Sequence, residues 1–526
     1  MNNIYLKKHI LISNSKIITK QINNNNMSNY INNNNTSNYI NKNMSISDDK
    51  LYFHSSPSIL NSANLLKYKI LGNPIYKKLS INIIFGCYNI DRDLKNILSA
   101  NKINKIIFGG SDVYYKMRDI SQDVLKYLRS INNDKIQLYS ISNFINSDLD
   151  DFNLKYRQLY LCLASHNNFY NLNKTKTHIY IYDGDGNINR INVYNINLIN
   201  DILKKIKFNY YKSSTNKVKY NEMNNLLNRC FVGLRLTKHD GNSNIVQEMG
   251  LIGIKCIHNS YFYNSIPFNS ITDIVANINI EYDKYTDGYI DNATPYICKL
   301  NSINCTELDI FDNNDYNDDI VTVILYTCND TEKKFCDSLK TILFQHMIKT
   351  KIIISTVFND NSIKCYNKYF KNNYRNIQLI TTDVRIDKCT KNIENILIGN
   401  GLKYINTRWL FILSTNEVCY AFKCYKEIKK LKENNKKICI SNYDIIKYDN
   451  NSENIINYII HEINNKESSL ISMMHIDMLN KYLKNGFDPS KNIIDNKNDI
   501  FKRIFDDNID ILHYTNPTYV FKCESA

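Results

Sequence analysis

Glycine, proline and tryptophan are scarce in this 526-residue chain, at 14, 6 and 1 residues. Asn, Ile, Lys and Tyr are abundant in their place, with 40 tyrosines. The bias reads as the imprint of an AT-rich genome, so composition alone says little about function. No CxxC pair occurs among the 14 cysteines. Even close pairs such as Cys419 and Cys424 lack zinc-site spacing and a neighbouring His, so the cysteines read as buried, reduced thiols of an intracellular protein. No stretch approaches the roughly 18 apolar residues of a spanning helix. The first residues, MNNIYLKKHILISNSK, hold only a short, interrupted apolar run. The expected location is therefore the cytoplasm. The formal net charge is +15, yet no run of five or six basic residues appears. Such scattered lysines read as a solvated surface, and no nucleic-acid partner is expected.

Hydrophobic residues at 43% and charged residues at 22% are ordinary for a globular protein, and the length allows two or three domains. Residues 1–50 repeat SNYIN around an Asn run, with too few apolar side chains to offset the entropy of ordering. They are expected to be a disordered tail. From residue 68 onward the pattern alternates. Strands are expected at 81–87, 105–108 and 136–141, with helices at 91–100 and 121–130 between them. A second alternating unit has strands at 178–182, 230–236 and 255–258, with helices at 196–206, 221–228 and 245–251. Strands and helices at this spacing predict an α/β fold with parallel, doubly wound sheets. The Asp- and Asn-rich segment 282–319 shows little periodicity and reads as a linker. Beyond it, strands at 320–326, 351–357 and 409–413 and helices at 332–343 and 393–403 predict a third α/β nucleotide-binding-type unit.

The most informative stretch is FVGLRLTKHDGNSNIVQEMGLIGIKCIHN, residues 231–259. An apolar strand runs into Arg235, Lys238 and His239, then Asp240, Gly241, Asn242, Ser243 and Asn244, and directly into a helix. Gly241 permits a tight turn and close backbone approach. Asn242, Ser243 or Asn244 can cap the helix, whose first N–H groups and positive dipole end suit an anion. Arg235 and Lys238 add full charges beside it, a set of groups fit to cradle a diphosphate. Asp240 and Glu248 can each accept hydrogen bonds from hydroxyls. The bland alternative for each carboxylate is a capped helix with a surface Glu.

This segment resembles the retaining glycosyltransferases of the GT-B fold, especially family 4, in which an acidic residue, seven intervening residues and a Glu mark the donor site. The resemblance spans about residues 80–280 and implies a first Rossmann-like half at 68–165 and a donor-binding half at 170–281. It implies that Asp240 touches the transferred sugar as the catalytic acidic residue, that Glu248 holds the ribose, and that no metal is needed. The phrase GLRLTKHDGNSN looks like a subgroup found in large DNA viruses. There Gly109, Gly110, Ser111 and Asp112 (within IIFGGSD) sit in the first half of the cleft. The first half is short for such an enzyme, which implies reduced acceptor recognition or recognition by another part of the chain.

Residues 320–526 resemble glycosyltransferase family 2, of the GT-A fold, through VTVILYTCND at 321–330, RWLFILSTNEV at 408–418 and LKNGFD at 483–488. The resemblance implies a second site at Asn329, Asp330, Asp360, Glu417 and Asp499. A divalent cation, Mn or Mg, belongs there only if this domain is active, because hard cations need oxygen ligands. Ser414, Thr415 and Asn416 stand where that family carries its Asp-x-Asp pair, leaving Glu417 as the acid. Matching Arg503 to the family's Arg puts Asn496 and Lys497 at the family's acidic pair, flanked by Asp495 and Asp499. This implies a family-2-like fold with damaged chemistry. The whole chain is expected to transfer a sugar from a nucleoside diphosphate sugar to a glycan, lipid or protein acceptor. The alternative is a catalytically silent scaffold that keeps the folds for interaction.

Overall fold

Three sheets of largely parallel strands organise the chain. The computed structural model describes residues 51–55, 81–86, 103–110, 126, 128–129, 136–184, 191–288, 291, 293–304, 319–383, 393–448, 455–461, 471–483, 488, 491, 493–507 and 509–524. The expected tail at 1–50, the helix at 91–100, most of that at 121–130, and Ser111 and Asp112 lie outside them.

The first sheet holds β1 (Leu51–Ser55), β2 (Ile81–Phe85), β3 (Ile103–Phe108), β4 (Ile136–Ser140) and β5 (Arg157–Gln158), all parallel and in chain order. Ile83, Ile84 and Phe85 and Ile106, Ile107 and Phe108 are buried in continuous runs, as strands covered on both faces require. Helix α1 (Asn143–Asp151) follows β4, its N-terminus capped by Ser142 Oγ accepting from the Ile145 amide at 3.3 Å.

The second sheet contains β6 (His178–Ile181), β7 (Asn209–Lys212), β8 (Cys230–Leu234), β9 (Lys255–Ile257) and β10 (Ser265–Ile266), connected through α2 (Ile196–Leu203), α3 (Tyr220–Leu227) and α4 (Asn244–Ile252). The strands are all parallel, in the order β7-β6-β8-β9-β10. The order reverses between β6 and β8, the position at which such sheets usually form a ligand crevice beyond the strand ends.

The segment expected to be a linker is in large part helical. Helix α5 (Ile271–Thr286) runs into it, and α6 (Ala293–Asn304) occupies its middle. Residues 305–318 lie outside the described residues. Helix α6 packs on α4 and also buries Ala293 and Ile297 against Val418, Tyr420 and Phe422 of the C-terminal region. Its buried positions include Thr294, Asn301 and Ser302 while Ile303 is exposed, so no clean apolar stripe shows in the sequence.

The third sheet has nine strands. Its parallel half is β11 (Ile320–Thr327), β12 (Lys349–Val357), β13 (Ile377–Thr382) and β14 (Trp409–Ser414), in the order β13-β12-β11-β14. Helices α7 (Glu332–Leu343), α8 (Asn361–Cys365) and α9 (Ile393–Leu402) connect these strands. The rest of the sheet is a mixed extension that the sequence pattern did not reveal. It comprises β15 (Glu417–Cys419), β16 (Ile438–Tyr448), β17 (Ile455–His461), β18 (Ile471–His475) and β19 (Leu512–Glu524), with α10 (Lys423–Glu433), α11 (Ile476–Tyr482) and α12 (Ile493–Asp506).

Residues 340–348 tie the C-terminal region to both earlier sheets. On one side Gln158 Nε2 donates to Gln345 O at 3.2 Å and to Ile348 O at 2.7 Å, and the Met347 amide donates to Gln158 O at 2.5 Å. On the other, buried Lys340 Nζ donates to Tyr263 O at 3.1 Å and Ser265 O at 2.6 Å. The Phe344 ring stacks on Tyr261 at 4.2 Å between centroids.

A candidate donor site at the switch point of the second sheet

Strand β8 (CFVGL) is buried along its whole length and delivers Arg235 to the crevice beside the end of β6. Helix α4 crosses directly behind it: a Cβ on Gly233 would lie 2.3 Å from Met249 Sδ. The Arg235 guanidinium lies over the Tyr182 ring at 3.8 Å and grips Asp240 with two bonds, Nε to Oδ2 at 2.5 Å and Nη2 to Oδ1 at 2.8 Å. Thr237 Oγ1 adds a bond to Asp240 Oδ2 at 3.3 Å. Burial opposes ionisation of Asp240, but Arg235 outweighs it and holds the carboxyl down at about 2. The two side chains given separate roles by the sequence, phosphate for one and sugar for the other, therefore meet in one buried, bidentate pair.

His258 closes the far side of this pair. Its Nδ1 donates to Arg235 O at 2.9 Å, and its Nε2 lies 3.6 Å from Asp240 Oδ2. Burial pushes its imidazole down to about 4, overriding the Asp240 charge, so the ring is neutral at physiological pH.

Helix α4 begins at Ser243, its N-cap, and ends on Gly253 at φ 89°, whose amide donates to Gly250 O at 3.1 Å. The Ser243 side chain makes no capping bond. Among the described residues, buried Ser243 Oγ and Asn242 Nδ2 have no hydrogen-bond partner. Asn242 Oδ1 is held by Gln247 Nε2 at 2.7 Å, which fixes the direction of the unused amide nitrogen. One turn on, Glu248 is 6% exposed. Burial pushes its carboxyl up to about 8, against the pull of Arg235. Buried donors are rarely left unmade, so Asn242 Nδ2 and Ser243 Oγ side by side suit a polar ligand. Lys238 is exposed on the loop before the helix.

Strand β3 leads the first sheet into the same place. A Cβ on Gly241 would lie 2.1 Å from Gly109 O, and one on Gly110, at φ 124°, would lie 3.0 Å from the Gly241 amide nitrogen. Gly109 and Gly110 thus sit directly against the loop that precedes α4. His239 Nε2 lies 2.6 Å from Asp148 Oδ2 on α1, and Ser142 Oγ donates to Asp240 O at 2.9 Å. Gln247 Oε1 accepts from the Leu163 amide at 2.9 Å. The loop at 239–241 and the start of α4 are therefore held from both sheets.

The second expected site lies at the carboxyl ends of β11, β12 and β14. Asp330 Oδ2 accepts from Thr327 Oγ1 at 3.0 Å and from Thr415 Oγ1. Asp360 is occupied too, its Oδ2 taking the Asn329 amide at 2.6 Å and its Oδ1 the Ser362 amide at 2.8 Å. Glu417 turns back so that Oε2 accepts from the Ser414 amide at 2.6 Å. Beside it stand the neutral oxygens of Ser414 and Thr415. This donor set does not fit a hard divalent cation, and among the described residues no three His, Cys, Asp or Glu side chains converge as metal ligands. Asn496 braces a turn, with Oδ1 accepting from the Asp488 amide and Nδ2 donating to Asp488 O, both at 2.8 Å. Asp499 is half-exposed and paired with Lys491. The Asp495 and Lys497 side chains lie outside the described residues.

No protein-family model matches the sequence, and no curated protein matches it. Among solved structures the chain is similar to S. aureus TarS. The crystal structure of its residues 1–349 in complex with UDP has 11% identity and a TM-score of 0.30, over 38% of this chain and 60% of that one. The TarS structure has 11% identity and a TM-score of 0.29, over 38% and 36%. A likeness at that level supports neither an activity nor a site. No helix among the described residues is long and apolar enough to cross a membrane.

Sequence reasoning missed Tyr182, Ser142, Asp148, Gln247 and His258. Ser142 had a local signal, a Ser just before a helix, and His258 stands at the end of an expected strand. Tyr182, Asp148 and Gln247 had none, because their roles come from packing between distant segments.

Proposed function

We propose that the chain is a glycosyltransferase that moves a sugar from a nucleoside diphosphate sugar to a glycan, lipid or protein acceptor, using the crevice between β6 and β8. One observation carries this reading: the unsatisfied Asn242 Nδ2 and Ser243 Oγ, with buried Glu248 one turn on, gather at the start of a helix at a switch point. The diphosphate would lie against the first turn of α4, where free N–H groups, Asn242 Nδ2 and Ser243 Oγ donate and Lys238 supplies charge. Glu248 would accept from the ribose hydroxyls. Asp240, oriented by Arg235, would hold a hydroxyl of the transferred sugar with its remaining lone pairs. In the reaction the bond from the sugar's anomeric carbon to phosphate breaks and a bond to the acceptor oxygen forms. The charge left on the phosphate is stabilised by the same donors, without a metal. The reading includes retention of configuration at the anomeric carbon.

The C-terminal domain in this reading positions the acceptor or braces the fold rather than running its own transfer, because its acids are occupied or replaced. A wholly silent scaffold is favoured by one observation, the contact of Gly109 O with Gly241, which closes the loop region. The purified chain should be screened with UDP-, GDP- and dTDP-sugars by thermal shift and donor hydrolysis. Hydrolysis lost in Asp240→Ala and Glu248→Ala but kept in Glu417→Ala supports the enzyme and its middle-domain site. Absence of both binding and turnover in folded protein supports the scaffold.

A further inference from the structure

Two cysteines in the C-terminal region are in sulfur–sulfur contact. Cys336 Sγ on α7 and Cys365 Sγ at the end of α8 are 2.9 Å apart, across 29 residues of chain. A disulfide bond is about 2.05 Å long, so rotation of the side chains by less than an ångström would bring the sulfurs to bonding distance. Both thiols are buried, Cys336 at 7% and Cys365 at 1% exposure. The helix ending at Cys365 is five residues long and runs straight into a π-helical turn, Tyr366–Phe370, closed by the Lys371 amide on Tyr366 O at 2.9 Å. Wide turns of this kind hold together less well than a regular helix and recur beside functional sites.

We propose that Cys336 and Cys365 are an oxidation site that closes into a disulfide and cross-links α7 to α8. The bond would fasten the β11–α7 and β12–α8 loops, already joined where Asp360 accepts from the Asn329 amide. Hydrogen peroxide is a sufficient oxidant. One thiolate attacks it, giving a sulfenic acid and water, and the second sulfur then displaces the sulfenic oxygen as a second water. Two thiols lose two electrons and two protons in all, and the peroxide is reduced. The hydrogen bond to Cys336, followed by burial, pushes the Cys365 thiol far up, which makes the first step slow in the folded chain. The proposal is independent of the glycosyltransferase reading.

The full chain should be treated with hydrogen peroxide, alkylated in denaturant and digested. A peptide pair joined through Cys336 and Cys365, lighter by two hydrogens than the free pair, is the expected product. Oxidation should raise Tm by about 3 °C, as closing a loop of this length in a chain of this size predicts. Cys336→Ser and Cys365→Ala should each abolish both the linked peptide and the shift. Recovery of both residues as alkylated thiols, or as sulfinic or sulfonic acids, overturns the proposal. The wild-type mass measurement stands without the variants.

Discussion

Replacing Glu248 with Gln removes a buried, titrating carboxyl while keeping its shape, and the structure gives this change a pH signature. In the fold the carboxyl titrates at about 8 against an ordinary 4.5, because burial disfavours its charge more than Arg235 favours it. A folded value above the unfolded one means that the wild type is fully stabilised below pH 4.5. It loses that stability as pH rises towards 8, where the unfolded chain ionises and the folded one resists. At about 1.4 kcal/mol per pH unit, the loss across this window is up to about 5 kcal/mol. Glu248→Gln has no such term. Urea unfolding of both proteins from pH 4.5 to 8.5 should show the variant gaining on the wild type by several kcal/mol, with other titrations cancelling in the difference. Parallel curves would refute the burial argument. Ligand hydroxyls donating to Glu248 should favour the carboxylate, so nucleotide binding near pH 7 should release a proton. Calorimetry in buffers of different ionisation enthalpy measures that release.

Arg235→Met leaves Asp240 buried and unpaired, and should cost about 3–5 kcal/mol in urea unfolding, with much of it recovered in Arg235→Met/Asp240→Asn. Gly241→Ala places a methyl against Gly109 O, and should lower stability by about 1–3 kcal/mol while weakening nucleotide binding in a thermal-shift titration. Lys340→Met removes the bonds to Tyr263 O and Ser265 O and the ion pair with Asp337, which lies 3.5 Å from the ammonium. It should destabilise by about 2 kcal/mol or more, with earlier protease cleavage between the middle and C-terminal regions. Mn²⁺ up to millimolar concentration should leave the Tm unchanged, because Asp330, Asp360 and Glu417 are already spent on internal hydrogen bonds.

The sequence by itself determined the strands and helices with strong local patterns. The apolar-rich segments 81–87, 105–108 and 230–236 read as strands, and β2, β3 and β8 stand there. The Asp-Gly-Asn-Ser run before an apolar stretch marked the start of α4 to within a residue. Only the tertiary structure decided what those residues face. Arg235 and Asp240 became partners because a five-residue loop folds back on itself, while Glu248 was buried because α4 is covered on every side. Helix α6 stayed hidden in the sequence because it buries Thr294, Asn301 and Ser302 and exposes Ile303, which erases the apolar stripe that periodicity needs. The occupied acids of the C-terminal region were equally illegible, since a carboxylate reads the same in sequence whether it meets an amide or a ligand. Local patterns record what a segment buries, and pairing across hundreds of residues leaves no mark on either partner alone.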